Sequence, residues 1–276
     1  MDFENVLILI QKELRDALRN RWFLLYAVAF AGLSLALAWF SVSGAGSYGV
    51  AGFGRTTAGL INLILLIVPL MGLTLGAMSL AGEREKGTLI YLLAQPISGA
   101  ELLLGKFVGL ALALTAALVI GFGLTGVFMV IKGGGGDFRV FLTLLILSVL
   151  LAVASLSLGF LISAAVKRAA TAVGLALFLW LVLVYFGDLG LMGTAVVVGL
   201  KVEQLLTLAL INPLQVFKLA AVFDLRQNLE VLGPAGIYAF RTYGGALWPM
   251  LVGLLLAWVV LPFLLATWVF KKRGVI

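Results

Sequence analysis

Residues 81 to 106 read AGEREKGTLIYLLAQPISGAELLLGK, a polar interruption between two long apolar runs. Glu83, Arg84, Glu85 and Lys86 follow directly on the run that ends near Leu80, and Lys106 opens the next one. Nowhere else deep inside the chain are charges packed so densely, so the stretch reads as a loop between two membrane spans. Its inner pattern is helical. Leu89, Leu92 and Leu93 fall at i, i+3 and i+4 within Thr88 to Gln95, which makes one apolar face of a short helix. Pro96 stops that helix, because proline disfavours helical backbone in the residue before it. Ser98 followed by Glu101 matches a capping box, in which hydroxyl and carboxylate satisfy the free N–H groups of a first helical turn. The spacing predicts a short amphipathic helix lying across the ends of two spans, with a sharp corner into the second.

The rest of the composition agrees. Of 276 residues, 63% are hydrophobic and 11% charged, with a mean hydropathy of +1.19; soluble domains run at about 45–50% apolar and about 25% charged. An all-α, polytopic membrane protein is the expected class. Cysteine and histidine are both absent, which removes disulfides, thiolate sites, the commonest metal ligand and the usual neutral-pH proton shuttle. Neither a metal site nor a catalytic role is expected. The net charge of +7 comes from small clusters beside apolar runs, with no basic patch interleaved with aromatics, so membrane orientation explains it better than nucleic acid.

Outward from the loop, residues 1 to 20 place Phe3, Leu7, Ile10, Leu14 and Leu18 on one stripe among charges of both signs. That predicts an amphipathic helix along the membrane surface. Mixed charge followed by a long apolar run argues for an uncleaved first span, Trp22 to about Phe40, and not a secretory signal. A small-residue loop leads to a second span, about Leu60 to Ala81, which contains Pro69 and the pair Gly72 and Gly76, a spacing that lets another helix approach closely. Met71 and Met78 share a face and read as packing residues. The third span covers about Phe107 to Ile131, and the four glycines 133 to 136 then form a turn; no phosphate loop is possible there, because no Lys and Ser/Thr follow. Spans four and five cover about Val140 to Val166 and Ala169 to Phe186.

Residues 188 to 245 carry two apolar-periodic segments, roughly 194 to 211 and 213 to 224, parted by Asn212 as N-cap and Pro213 at the first helical position. Lys201, Glu203, Lys218 and Asp224 keep either from supplying about 20 uninterrupted apolar residues. The segment therefore reads as a helical hairpin on, or dipping into, the outer face. Leu247 to Phe270 is the last of six spans. Placing the N-terminus, the 82 to 106 loop, Lys167–Arg168 and the C-terminus on one side collects most of the Lys and Arg that flank the spans closely, which puts both termini in the cytoplasm.

The pattern Glu83-x-Glu85-x-Gly87-Thr88-Leu89, then Leu92-Leu93-x-x-Pro96 and Gly105-Lys106, resembles the cytosolic loop of ABC-2-type permeases, the membrane subunits of ABC transporters. The resemblance covers almost the whole chain as one transmembrane domain, residues 1 to 276. It implies that Glu83, Arg84, Glu85, Lys86, Gly87, Thr88, Leu89, Leu92, Leu93 and Pro96 form a coupling helix docked into a cytosolic ABC ATPase. It also implies that ATP and Mg bind that ATPase and not this chain, and that a second copy completes a homodimer in a bacterial inner membrane.

GEREKGTLIYLLAQPISGAELLLGK and INPLQVFKLAAVFDL are most similar to permeases serving maturation of the copper centres of nitrous oxide reductase in denitrification. That implies a periplasmic β-helical partner, for which the 188 to 245 hairpin, with Asn212, Pro213, Gln215 and Lys218, is the natural platform. The Met residues (71, 78, 129, 192, 250) form no relay of soft ligands, and no line of acids runs through the spans. Export of a sulfur-containing species and a purely mechanical action on the periplasmic partner both stay open. The rival reading is an ATP-independent channel or structural scaffold, which needs no docking segment.

Overall fold

The computed structural model describes residues 3–43, 49–132, 138–187, 201–226 and 234–273, and among these every regular element is a helix. In order they are α1 (Phe3–Arg19), α2 (Arg21–Ser43), α3 (Gly49–Glu85), α4 (Thr88–Leu93), α5 (Gly99–Ile131), α6 (Phe138–Ala165), α7 (Ala169–Tyr185), α8 (Val202–Ile211), α9 (Pro213–Arg226), α10 (Pro234–Tyr243) and α11 (Leu247–Arg273). The glycine run at 133 to 136, residues 194 to 200 of the hairpin and Met192 lie outside the described residues.

The expectation of six similar spans is corrected in part. Five helical stretches are long and apolar enough to cross a bilayer: Arg21–Phe40, Thr57–Glu85, Gly99–Ile131, Phe138–Ala165 and Gly236–Lys272. The expected fifth span, about Ala169 to Phe186, is a shorter apolar α-helix of 17 residues, Ala169–Tyr185, and stands apart from these five by its length. A sixth crossing by composition is the pair α8 and α9 taken together, bent by 109° at Asn212. The second expected span also starts earlier than its apolar pattern, at Gly49, because glycine weakens a helix without necessarily ending it. The third begins at Gly99, so its first turns carry Glu101 and Lys106 ahead of the apolar run.

α3 is the central helix. It packs along α6 over much of its length and is flanked by α2 and α7, while α6 meets α11 on its other side and α5 carries α1 and α2. Phe107 of α5 meets Phe160 of α6 edge-on (5.6 Å) and Phe263 of α11 at a tilt (4.4 Å), and Phe122 of α5 meets Phe30 of α2 and Phe141 of α6. Polar side chains bond between helices: buried Thr125 Oγ1 donates to Ser34 Oγ (2.8 Å) between α5 and α2, and at the surface Trp180 Nε1 donates to the Leu66 carbonyl (3.0 Å). In a membrane such bonds and close backbone contacts hold helices together, since lipid is as apolar as the side chains. The 86 to 98 loop, the 166 to 168 turn and the end of α11 gather at one end of the bundle: Arg84 reaches the Val166 carbonyl, and a Cβ at Gly99 would touch Phe270.

Candidate functional site

After Glu85 the chain turns through Lys86 and Gly87, whose N–H donates to the Arg84 carbonyl at 3.1 Å. Gly87 has φ 72°, the left-handed region, where any side chain costs about 1–2 kcal/mol. α4 follows at once. Leu89 is fully buried and Leu92 and Leu93 are half-buried against the core, so the predicted apolar face turns into the bundle. Ile90 and Tyr91 point outward, 62% and 76% exposed. The chain bends over Gln95 and Pro96, and the predicted capping box is in place: Glu101 N donates to Ser98 Oγ (3.2 Å) and Ser98 N to Glu101 Oε2 (2.8 Å).

The charged block faces four other helices, α1, α5, α6 and α7. Glu83 Oε1 accepts from Lys106 Nζ at 2.8 Å and from Lys12 Nζ at 3.2 Å. Lys106, 1% exposed, also donates to Glu13 Oε1 at 2.6 Å, and Lys12 closes the ring on Glu13 at 3.0 Å, with Asp16 at 3.5 Å. Two lysines and two glutamates thus join α1, α3 and α5. Burial alone lowers the Lys12 pKa, but the carboxylates of Glu13 and Glu83 outweigh it and hold the ammonium well above the usual lysine range. Arg84 Nη1 donates to the carbonyls of Val166 (2.7 Å) and Ser163 (3.4 Å), among the last of α6, and Glu85 Oε2 accepts the first N–H of α7, from Ala169, at 2.8 Å. These charges satisfy helix ends that lack intrahelical partners. Three consecutive residues therefore bind three neighbouring parts of the same chain, which leaves Lys86, Tyr91 and Gln95 to front a groove of about 480 Å³ between α1 and α4, with Lys12, Asp16 and Thr88 on its walls.

How α1 is held was not apparent from the sequence. Its packed side is Val6, Leu9, Ile10, Glu13 and Ala17, rotated from the predicted stripe; Leu7 and Leu18 are exposed. The reason is Lys106. Burying its ammonium requires carboxylates, and Glu13 in the middle of the packed side supplies one. Gly105 and Gly109 let α1 come close: a Cβ at Gly105 would lie 2.5 Å from Leu9 Cβ, and one at Gly109 2.8 Å from Glu13 Cβ. The Gly105-x-x-x-Gly109 spacing was the available signal. Gly72 and Gly76 lie against α6, where a Cβ would run into the backbone at Ala152 and Leu156.

The second set of candidates also faces inward. Asn212 Oδ1 accepts from Leu214 N (3.0 Å), as an N-cap does, while its Nδ2 donates to the Leu183 carbonyl at the end of α7 (2.7 Å). Pro213 and Gln215 are buried, and Lys218 is half-buried with a partner of its own. The exposed side of this pair is carried by Glu203, Gln204, Thr207, Leu208 and Ile211 of α8. An apolar helix beside a bundle buries whichever side meets its neighbours, and Asn212 adds a second donor to the Leu183 carbonyl in the last turn of α7, which also accepts from Phe186 N.

Comparison with known proteins agrees with this architecture. Residues 7–275 match the ABC-2 family transporter proteins. The chain is 34% identical over 270 residues to the probable ABC transporter permease protein NosY of Stutzerimonas stutzeri, covering 95% of this chain and 96% of that one. It is 33% identical over 259 residues to the protein of the same name from Pseudomonas aeruginosa, covering 86% and 92%. With a match over nearly its full length and helices α3 to α5 built around the charged loop, the chain belongs to the ABC-2 family of transporter permeases.

Proposed function

We propose that this permease is the membrane subunit of an ATP-driven complex in the bacterial inner membrane, with both termini in the cytoplasm. In this reading α4 docks on a cytosolic ABC ATPase, NosF-like, which binds ATP and Mg, while this chain itself is non-catalytic. Two copies frame the complex, and a NosD-like periplasmic protein receives its action in maturing the copper centres of nitrous oxide reductase, either by export or by a change in that partner's shape. The observation that carries the reading is the mounting of α4. It exposes Ile90 and Tyr91 at its surface while its base is tied to α1, α3 and α5 through Glu13, Glu83 and Lys106. A push on α4 then moves three helices together.

Docking belongs to the outward residues Ile90, Tyr91 and Gln95, with Glu83, Arg84 and Glu85 as the mount that transmits force. On the far side, the exposed residues of α8 take the place of Asn212 as the platform for the periplasmic partner. The test is co-purification from membranes, followed by ATP hydrolysis with Tyr91→Ala and Ile90→Ala. Exposed aromatic anchors contribute about 2 kcal/mol or more to interfaces, so the double variant should lose most of its ATPase while remaining folded. A complex whose composition and hydrolysis are unaffected would remove α4 as the docking element, and recovery of the chain alone would favour the channel or scaffold reading.

A further inference from the structure

Two cavities adjoin where the apolar helices α2 and α7 begin. The deeper, about 560 Å³, lies between α2, α3 and α7 and is walled by Trp22, Tyr26, Met71, Leu75, Val173 and Leu177. Along α3 and α7 it extends about 10–12 Å at ~1.5 Å per residue. The shallower, about 250 Å³, shares Asn20, Leu75, Met78 and Ala169 with the first and is the more polar of the two. Glu13, Asp16, Glu83 and Glu85 face it, together with Lys86 and Lys106. Lys106 is already committed to Glu13 and Glu83, while Lys86 forms no ion pair among the described residues. Glu83 Oε2 is buried and accepts no hydrogen bond. Even with Lys12 counted, the wall of the polar chamber carries more carboxylates than ammonium groups.

We propose that the joined cavities hold one phospholipid of the surrounding bilayer whose headgroup carries an ammonium. One of its two acyl chains lies between α2, α3 and α7, its phosphate meets Lys86, and its ammonium is placed between Asp16 and Glu85. An ammonium offsets the excess of carboxylates on this wall. An anionic headgroup would meet the same carboxylates as like charge. A lipid fits both chambers, because its apolar and polar parts part at the depth where these helices enter the bilayer. A second copy of the chain filling the apolar chamber would have to bring its own cation to the polar one.

The test is native mass spectrometry of the full-length chain with its co-purifying partners, titrated separately with phosphatidylethanolamine and phosphatidylglycerol. One phosphatidylethanolamine should bind per chain, about 5-fold tighter than phosphatidylglycerol, the size of a partly exposed ion pair. A Cβ at Gly174 meets nothing within 4 Å, so Gly174→Leu grows into the apolar chamber and should weaken both lipids; Asp16→Asn should reduce only the headgroup preference. Equal binding of the two lipids, or a preference unmoved by either variant, overturns the proposal. So does disulfide pairing of Gly174→Cys between two chains, clean in a cysteine-free background, which assigns the chamber to a second copy.

Discussion

Lys106 is the residue on which most depends. An ammonium 1% exposed is tolerable only while both carboxylates stay with it, and removing one side of such a pair costs about 3–5 kcal/mol. Lys106→Met should therefore lower the thermal midpoint of the detergent-solubilised protein sharply. Pairing it with Glu13→Met should restore much of the loss, because two apolar partners leave one charge fewer to bury; a double-mutant cycle by thermal unfolding measures the coupling. Lys12 sets the alkaline limit of the same cluster. Its folded-state value is raised, so its contribution is fully present below the ordinary lysine value of 10.5 and is lost as pH rises through the folded value. Stability across neutral and mildly alkaline pH should show no step from this group in a pH series of melting curves. At Gly87 the left-handed backbone predicts that Gly87→Ala costs about 1–2 kcal/mol, with the orientation of α4 disturbed.

At the scale of elements, glycine pairs decide which helices can touch. Gly105→Leu would force a side chain into Leu9 and the Val6 carbonyl, and α1 should lift from α5. Limited proteolysis within residues 3–19 reports that directly, and ATPase stimulation should fall with it if α1 shares the load of α4. Gly76→Leu runs into backbone of α6 and not into a movable side chain, so it should fail to give a monodisperse protein. Small-residue spacing announced close approach at Gly72 and Gly76, and the same spacing at Gly105 and Gly109 carried the same signal. Nothing in the spacing named the helix on the other side, because the same pattern suits any neighbour.

For the whole molecule, the arrangement of ends is the decisive feature. Single cysteines at Tyr91 and Lys271 should be labelled by an impermeant maleimide only from the cytoplasmic side, and one at Lys201 only from the opposite side; labelling of all three from one side would refute the proposed topology. Much of this was legible in the residues themselves. Apolar runs fix helices because every backbone group must be satisfied within lipid, and the short helix, its proline stop, the Ser98–Glu101 box and the Asn212–Pro213 break follow from local hydrogen bonding that the chain carries wherever it goes. Facing was another matter. Periodicity placed Leu89, Leu92 and Leu93 on one face and put Glu83 and Arg84 in a polar block without saying what either would meet; the leucines face the bundle, and Ile90 and Tyr91 are the exposed side of α4. Likewise α1 presents Glu13 inward against its own apolar stripe, and Asn212 turns to the end of α7. These choices rest on partners distant in sequence, a lysine 93 positions away and a carbonyl 29 away. The pairing energy of buried charges and helix ends, which exists only in the assembled bundle, overrides local pattern there.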